Sequence, residues 1–350
     1  MVIIMEKVLL PEELGYKANL HSHSTDSDGA LTPEKMKEYY KANGYSILAY
    51  TDHLYMRDRS SFNDEEFVAL NGYENSLNES PSKVYGGKCY HLNFYSPAPD
   101  KVGMVGIQEY LYKYFNTVAT RKTPEQLALS PILDEGGFCD PTYSVENVNK
   151  IIAKAKELGY LVVLNHPVWS GQTESDLHNL QGLTGVEIFN YGSWISGYEE
   201  DCGYIYDGML RSGQRICCTA SDDNHNSKAY PPLPHDSFGG FSIMYPKKLD
   251  YESVFNALKD GDLYASTGGI LRGVTVLDGK IYVGAEQANY IRISTNGRCA
   301  RIKRATDRSF SEAVFELPDG VQYFRVTMKD VNGKKAYTRA YFRNQQGEWE

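Results

Sequence analysis

The stretch Leu20-His21-Ser22-His23-Ser24-Thr25-Asp26-Ser27-Asp28-Gly29 follows an extended apolar run that starts at Tyr16. Residues two apart on an extended strand point to the same side, so both imidazoles can reach one ion. Gly29 permits a sharp turn of the Asp28 carboxylate back toward the strand end. The stretch therefore predicts a strand that ends in a candidate ligand cluster.

Other predicted strands end in the same way. Of eight histidines, six lie at or just beyond strand ends: His21, His23, His53, His91, His166 and His225. The carboxyl ends of the strands in a parallel barrel or doubly wound sheet converge on one face, where sites form. We therefore expect these imidazoles to meet at that face.

The first 271 residues alternate between short β-rich runs and helical patterns, which is typical of a parallel α/β sheet or barrel. Strands are predicted at 16–20, 46–50, 67–70, 89–95, 161–164, 186–189, 216–219 and 241–245. Helices are predicted after Thr32-Pro33, from the capping box at 123–126, and over 145–158. Residues 97–144 exceed a simple connection and are partly helical, so we expect them to be an insert that shapes the substrate pocket as a lid.

The chain from Arg272 onward differs in charge and pattern. It carries 14 Lys/Arg and 9 Asp/Glu, a net of +5, whereas the first 271 residues carry 22 against 36, a net of −14. Turn pairs at 278–279, 296–297 and 332–333 separate its β-rich runs. We therefore predict a catalytic domain at 1–271 and a small C-terminal antiparallel β-sandwich domain at 272–350.

Composition excludes several classes of protein. The net charge of −9 argues against general nucleic-acid binding, which depends on neutralising phosphates. The longest apolar runs are too short for a membrane span, and the first residues are too short for a signal peptide. The six cysteines form no disulfide framework, so we expect reduced thiols and a cytoplasmic protein. The oligomeric state stays open.

Several motifs together resemble one superfamily. These are His21-Ser22-His23 with Ser27-Asp28-Gly29, Thr51-Asp52-His53, Glu74, His91, Asn165-His166-Pro167 and Asp223-Asn224-His225. Their order and spacing resemble those of the PHP (polymerase and histidinol phosphatase) superfamily over residues 16 to about 271. The run 262–268 with its β tail is similar to one bacterial branch of phosphoesterases in that superfamily. The resemblance implies an α/β fold with a distorted (β/α)7 TIM-like barrel.

The resemblance also implies two or three divalent ions at the carboxyl ends of the strands. One ion would be held by His21, His23, Glu74 and Asp223, a second by Glu74, His91 and His166, and a third by Asp28, His53 and His225. The adjacent pair Asp222-Asp223 leaves open which carboxylate binds, although the spacing to His225 favours Asp223. Asp52 points to the opposite face from His53, so we expect it to support the site rather than bind an ion.

Mixed imidazole and carboxylate ligands suit Zn, Mn or Fe. Three such ions with three carboxylates leave a charge of about +3, which attracts a phosphate dianion and a hydroxide. We therefore expect hydrolysis of a small phosphate monoester, of the nucleotide or sugar phosphate type, by metal-bound hydroxide without a protein nucleophile. Arg57 and Arg59 are weaker candidates for binding the phosphate. Two alternatives stay open: hydrolysis of a carbamate or carboxylic ester at the same centre, and a non-catalytic binding module.

Overall fold

The structure is a computed structural model that describes residues 6–79, 87–133, 142–227 and 235–350. It has a mixed α/β fold with one large hydrogen-bonded sheet. The first nine strands are β1 (Glu6–Leu10), β2 (Tyr16–Asn19), β3 (Ile47–Tyr50), β4 (Val68–Asn78), β5 (Cys89–Tyr95), β6 (Leu161–Leu164), β7 (Gly185–Asn190), β8 (Cys217–Ser221) and β9 (Phe241–Met244). The predicted bounds of β5 and β6 are confirmed.

In the described parts of the chain, eight α-helices lie among or after these strands. They are α1 (Pro33–Ala42), α2 (Glu109–Lys113), α3 (Pro124–Ala128), α4 (Val145–Glu157), α5 (Glu174–His178), α6 (Tyr191–Ile195), α7 (Gly203–Arg211) and α8 (Tyr251–Asp260). The predicted start signals are confirmed: the Thr32 hydroxyl accepts from Lys35 N, and the capping box of Thr123 and Gln126 is formed. Oxygen acceptors at these positions satisfy amides that lack a partner inside the helix.

Strand direction differs in part from the prediction of a parallel sheet. β2, β3 and β4 are parallel, as are β6, β7 and β8. β5 is antiparallel to both β4 and β6, and β9 is antiparallel to β2. Beyond the ends of β2 and β8, Ser22 and Asn224 form a parallel bridge. Hydrophobic periodicity reports burial and not the direction of the neighbour, so the antiparallel pairs could not be read from it.

β4 is also longer than predicted. It continues to Asn78 rather than stopping near Leu70, and all of it is buried. Glu74 therefore lies inside a strand, opposite Asn93 of β5, and not after a strand end. This extension could not be predicted from the sequence because residues 71–78 are mostly polar, whereas buried strands are normally runs of apolar residues.

The remaining strands are β10 (Leu263–Ser266), β11 (Leu271–Leu277), β12 (Lys280–Thr295), β13 (Arg301–Arg304), β14 (Phe310–Glu316), β15 (Tyr323–Asp330), β16 (Lys335–Thr338) and β17 (Tyr341–Phe342). All pairs within β11 to β17 are antiparallel, as predicted. At the predicted turn between β11 and β12, Asp278 and Gly279 both have positive φ.

The sheet continues across residue 271. β1 pairs with β11, while β10 pairs with β9 on one side and β16 on the other. Apolar residues of both parts share one hydrophobic cluster, in which Tyr40 and Phe241 join Val283 and Phe324. The boundary predicted near residue 271 is therefore crossed by backbone hydrogen bonds and by core packing, and its status as a domain boundary stays a prediction.

The predicted insert is partly helical. It contains α2, a π-helical turn at Tyr114–Ala119, and α3, while 134–141, including Cys139, lies outside the described residues. The described cysteines, Cys89, Cys202, Cys217, Cys218 and Cys299, form no disulfide with one another, and their reduced state stays a prediction. Across the described ranges, no helix has the length and apolar character that a bilayer crossing requires.

Candidate metal centre

The structure brings the nine predicted ligands into one cluster. They come from the segments after β2, β3, β6 and β8, from the interiors of β4 and β5, and from the turn before α1: His21, His23, Asp28, His53, Glu74, His91, His166, Asp223 and His225. Among the described residues, three overlapping groups each place their ligand atoms within 4.8 Å of one another: first His21, His23 and Asp223; second His21, Glu74 and His166; third His23, Asp28, His53 and His225. His91 is outside these groups and joins the cluster through Glu74. Each group is a candidate for one cation.

The first group has the spacing that ligands adopt around one ion. His21 Nε2 lies 3.2 Å from His23 Nε2 and 3.2 Å from Asp223 Oδ1, and His23 Nε2 lies 3.0 Å from the same oxygen. Ligand atoms bound at about 2.1 Å to one ion lie about 3.0 to 3.5 Å apart. The three atoms are therefore spaced as one face of a coordination shell would be, and their donor types suit a divalent cation.

Glu74 joins the first group to the second. One carboxylate oxygen, Oε1, lies 3.0 Å from His91 Nδ1, 3.3 Å from His166 Nε2 and 3.4 Å from His21 Nε2. The other oxygen, Oε2, lies 3.0 Å from His53 Nδ1. With its side chain only 1% exposed, Glu74 is a buried carboxylate shared by four imidazoles. This position fits the bridging role that the family resemblance implies.

The third group is the one open to solvent. The Asp28 carboxylate lies 3.5 Å from His225 Nε2 and 3.8 Å from both His53 Nε2 and His23 Nδ1. The Asp28 side chain is 42% exposed, in contrast to Glu74. The looser spacing and the exposure make this group the entrance side of the cluster.

Outside the cluster, the second nitrogen of several rings has its own partner. His21 Nδ1 lies 2.9 Å from Glu187 Oε1, and His166 Nδ1 lies 3.2 Å from the hydroxyl of Ser170. A buried carboxylate on Nδ1 favours the proton there and leaves Nε2 as an acceptor toward the cluster. This arrangement, in which the far nitrogen is held by an outer group, is typical of metal-binding histidines.

Electrostatics inside the cluster are strongly coupled. Burial lowers the pKa of His21, but nearby carboxylates, Asp223 foremost, raise it well above its usual value. Burial and the neighbouring ring of His225 lower the pKa of His23 to about 4. Burial raises the pKa of Glu74, yet the surrounding imidazoles hold it well below its usual range. The carboxylate is therefore ionised at neutral pH.

Asp222 and Asp223 face different surroundings. Asp222 accepts hydrogen bonds from the Tyr40 hydroxyl and from the backbone amides of residues 238–240. Asp223 instead points its Oδ1 at His21 and His23, from a backbone with φ of 51°. Such a conformation is uncommon outside glycine and occurs at functional sites. Asp222 thus holds a loop, and Asp223 belongs to the cluster.

Asp52 supports the turn that carries Asp28. Its carboxylate accepts from Ser24 N at 2.7 Å and from the Ser27 hydroxyl at 2.8 Å. Within the same turn, a Cβ on Gly29 would lie 2.3 Å from the backbone oxygen of His23. Glycine is therefore needed at this position for close packing, which adds to the turn that its sequence predicted.

Comparisons with known proteins give partial similarities. No family model and no curated protein matches the chain. Among solved structures, it is similar to a two-domain protein from Bacteroides vulgatus that contains a predicted PHP-like metal-dependent phosphoesterase. The identity is 12%, the TM-score is 0.43, and the match covers 95% of this chain and 98% of that one.

Two further structures are similar over the larger part of the chain. One, from Bifidobacterium adolescentis, is proposed to be a metal-dependent phosphoesterase, with 15% identity, a TM-score of 0.39, and coverage of 64% and 94%. The other is an amidohydrolase from Chromobacterium violaceum with bound sulfate and no metal, with 17% identity, a TM-score of 0.38, and coverage of 62% and 90%. PHP-like and metal-dependent phosphoesterases are thus among its structural neighbours. At these TM-scores the similarity supports no conclusion about function, which must follow from the site itself.

The two arginines predicted to bind phosphate have other partners. Arg59 is 8% exposed, its guanidinium forms an ion pair with Asp26, and its backbone amide donates to Asn71. Arg57 is half-buried, and its guanidinium donates to the Tyr55 hydroxyl at 3.4 Å. A role for either residue in binding substrate stays a prediction.

Sequence reasoning missed the aromatic walls of the site. Phe115, in the insert, packs on the ring of His53 with centroids 5.0 Å apart. Trp169 packs edge-on against His91 and His166, at 5.1 and 4.8 Å, and is 37% exposed. Trp169 comes three residues after His166, and this proximity to a predicted ligand was the one signal in the sequence.

A buried acid fixes the turn that carries Trp169. The Glu200 carboxylate accepts from Val168 N at 3.0 Å and from Trp169 N at 2.8 Å, and Glu200 is fully buried. Nothing in the local sequence marks Glu200, because its role depends on a contact between distant segments. These contacts hold the ring of Trp169 beside the candidate centre.

Proposed function

We propose that this chain is a metal-dependent hydrolase that cleaves small phosphate monoesters, of the nucleotide or sugar phosphate type. One observation carries the proposal: the buried Glu74 carboxylate lies within 3.4 Å of four imidazole nitrogens, from His21, His53, His91 and His166. A single buried carboxylate does not need four imidazoles for its own neutralisation. Such crowding is explained if divalent cations complete the cluster.

The donor set fits two or three ions of the Zn, Mn or Fe type. Imidazole nitrogens mixed with carboxylate oxygens are the ligands these metals prefer, whereas Mg and Ca favour oxygen alone. When bound, such ions provide a nucleophile from water at neutral pH and stabilise negative charge on phosphoryl oxygens. The assignment of the nine residues as ligands belongs to this proposal.

The protein's own residues hold and orient this machinery. Glu187 accepts from His21 Nδ1 and from His166 N, so it fixes two predicted ligands at once. Asn165 donates to Glu74 Oε1 at 2.7 Å and Asn190 donates to Asp223 Oδ2 at 3.2 Å. These donors fix the carboxylates without adding charge. In this proposal no side chain acts as the nucleophile.

Charge favours a phosphate ester as substrate. Asp28, Glu74 and Asp223 contribute −3, so two divalent ions leave about +1 and three leave about +3. A positive centre attracts a dianionic phosphate monoester more strongly than a neutral ester. The solvent-exposed side near Asp28 is the entry that this proposal assigns to the substrate.

The fold around the site also forms part of the proposal. We infer that β2 to β8 make up a distorted (β/α)7 barrel, supported by continuous pairing from β2 to β8 and by the bridge of Ser22 with Asn224. Residues 272–350 would then be a C-terminal β-sandwich domain attached to it. Its antiparallel pairing supports this division.

A carbamate or carboxylic ester is the second candidate substrate class. One observation favours it: near the cluster, the guanidinium of Arg59 is committed to Asp26 and the ammonium of Lys122 donates to the backbone oxygen of Asp26. Cations already paired in this way are less available to clamp a phosphate. The same centre would then attack a carbonyl carbon.

The test is hydrolysis by protein loaded with Zn, Mn or Fe. We expect phosphate release from p-nitrophenyl phosphate or from sugar and nucleotide monophosphates, and loss of this activity with EDTA. The variant His23→Ala should fold and be inactive, because it removes one corner of the first ligand group.

Cleavage of p-nitrophenyl acetate without phosphate release from any ester would instead establish the second candidate. Wild-type rates in the His23 variant would remove His23 from the site.

A further inference from the structure

A basic cavity lies where the end of α7 meets the C-terminal strands. There, a cavity of about 340 Å³ is lined by three arginines from two segments: Arg211 and Arg215 at and just after the end of α7, and Arg343 from the C-terminal strands. Tyr323 and Phe342 also line it. Its lining, as far as the structure describes the chain, includes no Asp or Glu. In a protein with a net charge of −9, this concentration of guanidinium groups is unusual.

Aromatic rings fix two of the guanidinium groups. Arg215 lies over the ring of Phe342 and Arg343 over the ring of Trp349, each 4.6 Å from the ring centroid. Stacking of this kind orients the guanidinium plane and leaves its N–H edges free to donate. These donors are therefore positioned before any ligand arrives.

The charges of this cavity are not balanced by the protein. Arg215 lies 3.6 Å from Glu350, whereas Arg211 and Arg343 have no carboxylate within 4.0 Å in the described part of the chain. Three guanidinium groups and one carboxylate leave a charge of +2. The Tyr323 hydroxyl, which is buried, has no hydrogen-bond partner among the described residues. The excess charge matches that of a phosphate dianion, which guanidinium groups bind through paired hydrogen bonds.

A second basic cavity adjoins the first. It has a volume of about 500 Å³, shares Gly213 and Arg215 with its neighbour, and adds Lys156 and His178. Residues 212–216 directly precede β8, so both cavities lie at its amino end. The candidate metal centre lies at the carboxyl end of the same strand. The two basic cavities are therefore separate from that centre.

We propose that the arginine cavity at the junction of α7 and the C-terminal strands is a second binding site, for an anion that carries a phosphate group. Arg211 and Arg343 supply the unpaired charge, and Arg215 links the site to the adjoining cavity. A ligand bound there contacts α7 and the C-terminal strands together. The proposal does not depend on the reaction catalysed at the metal centre.

The test uses inorganic phosphate at pH 8 and full-length protein treated with EDTA, with binding measured by calorimetry. We expect saturable binding to the wild type, weakened at least about tenfold in Arg211→Gln/Arg343→Gln. The matched control, Arg301→Gln/Arg308→Gln, removes the same charge from exposed sites and should bind as the wild type does. The milder Arg211→Lys should bind more weakly than the wild type, because the paired hydrogen bonds are lost while the charge stays.

Three results would overturn the proposal: no saturable binding to the wild type, equal weakening in the control variant, or loss of binding in His23→Ala. The second would indicate an effect of net charge alone. The third would place the anion at the metal centre. Thermal unfolding of each variant shows whether it is folded, and Arg211→Lys, at the exposed end of α7, remains informative if the double variant does not fold.

Discussion

Two buried charged regions of this molecule are built in opposite ways. Where α7 meets the C-terminal strands, Arg325 is fully buried and donates to Asp207 at 2.6 Å, to the Thr327 hydroxyl and to the backbone oxygen of Gly203. At the candidate centre, the single carboxylate of Glu74 lies within 3.4 Å of four imidazole nitrogens, more than one negative charge could neutralise if all four rings were protonated. The charge of Arg325 is balanced by Asp207 and its hydrogen bonds are made within the protein. The carboxylate of Glu74 has more imidazole neighbours than one charge can balance.

The difference separates a structural role from a binding role. A buried ion pair with complete hydrogen bonding needs nothing further, and breaking it destabilises the fold. At the candidate centre, by contrast, the ring nitrogens of His21 and His23 lie 3.2 Å apart and both lie close to Asp223 Oδ1, a spacing that suits ligands of one cation. Changes in the first region should therefore alter stability, and changes in the second should alter ion binding.

The largest expected effect is that of Glu74→Gln. Removing the shared carboxylate should lower the number of bound ions and reduce the hydrolysis rate by more than about 100-fold, which is the upper range for residues that only support a ligand. Metal analysis and initial rates measure both effects. Glu66→Gln, at an exposed position, is the control. Full metal content in Glu74→Gln would show that the shared carboxylate is not needed for ion binding, which would contradict the binding role of this region.

Breaking the ion pair of Arg325 and Asp207 should lower stability without changing ion binding. Arg325→Met should lower the free energy of unfolding by about 3 to 5 kcal/mol, since it leaves Asp207 buried and unpaired. Ion content per folded molecule should not change. Urea unfolding measures the loss, and the double variant Arg325→Met/Asp207→Leu should recover most of it. A double variant as unstable as the single one would argue against charge pairing as the cause.

An intermediate effect is expected at Glu187, which lies outside the cluster. Glu187→Gln keeps one acceptor but replaces the other with a donor, so His21 Nδ1, His166 N and Asn190 Nδ2 can no longer all be satisfied. Metal affinity should fall about 10- to 100-fold while the protein stays folded. Competition with a chromophoric chelator measures the affinity. An unchanged affinity would make Glu187 a purely structural acid.

The smallest expected effect concerns pH, because the His225 side chain is 30% exposed and solvent screens its attraction to Asp28. Burial lowers the pKa of His225, but Asp28 raises it to about 10 in the ion-free protein, against about 6.5 in the unfolded chain. A raised pKa contributes stability that is complete below pH 6.5 and is lost as pH rises toward 10. Ion-free protein should therefore lose unfolding free energy between pH 6.5 and 9.

Protein loaded with Mn should lose less over this range, because an imidazole that binds an ion has no proton to release. Urea unfolding at pH 6.5, 8 and 9, with EDTA or with Mn, makes the comparison. His225→Gln is the control, and it should reduce the pH dependence of the ion-free protein. Identical pH dependence in both forms would contradict this account of His225.

Much of the fold could be read from local sequence. β5 and β6 have their predicted bounds, and the caps at Thr32 and Thr123 start helices as expected. The antiparallel direction of β5 and the length of β4 could not be predicted from local sequence, because both depend on which strand lies alongside. β1 and β10 were missed for the same reason: each is defined by pairing with distant strands.

The candidate ligands were easier to predict from the sequence than the residues that hold them in place. His21, Asp28 and His166 could be located because they follow strand ends or sharp turns in recurring motifs. Glu187 lies beside a predicted strand end and could be expected near the pocket, but its partner His21 is 166 residues away. Glu200 lies 32 and 31 residues from the two amides that donate to it. Contacts between segments so far apart leave no local pattern in the sequence. The spacing to His225 favoured Asp223 over Asp222 in the sequence, and the fold adds the different partners of the two carboxylates.

The most direct test is a crystal structure of the protein soaked with Mn, with ions located by anomalous scattering and counted by metal analysis of the same preparation. The account predicts two or three ions inside the cluster, with one pair bridged by the carboxylate of Glu74. Ions bound only elsewhere, or an empty cluster at saturating Mn, Zn and Fe, would contradict it.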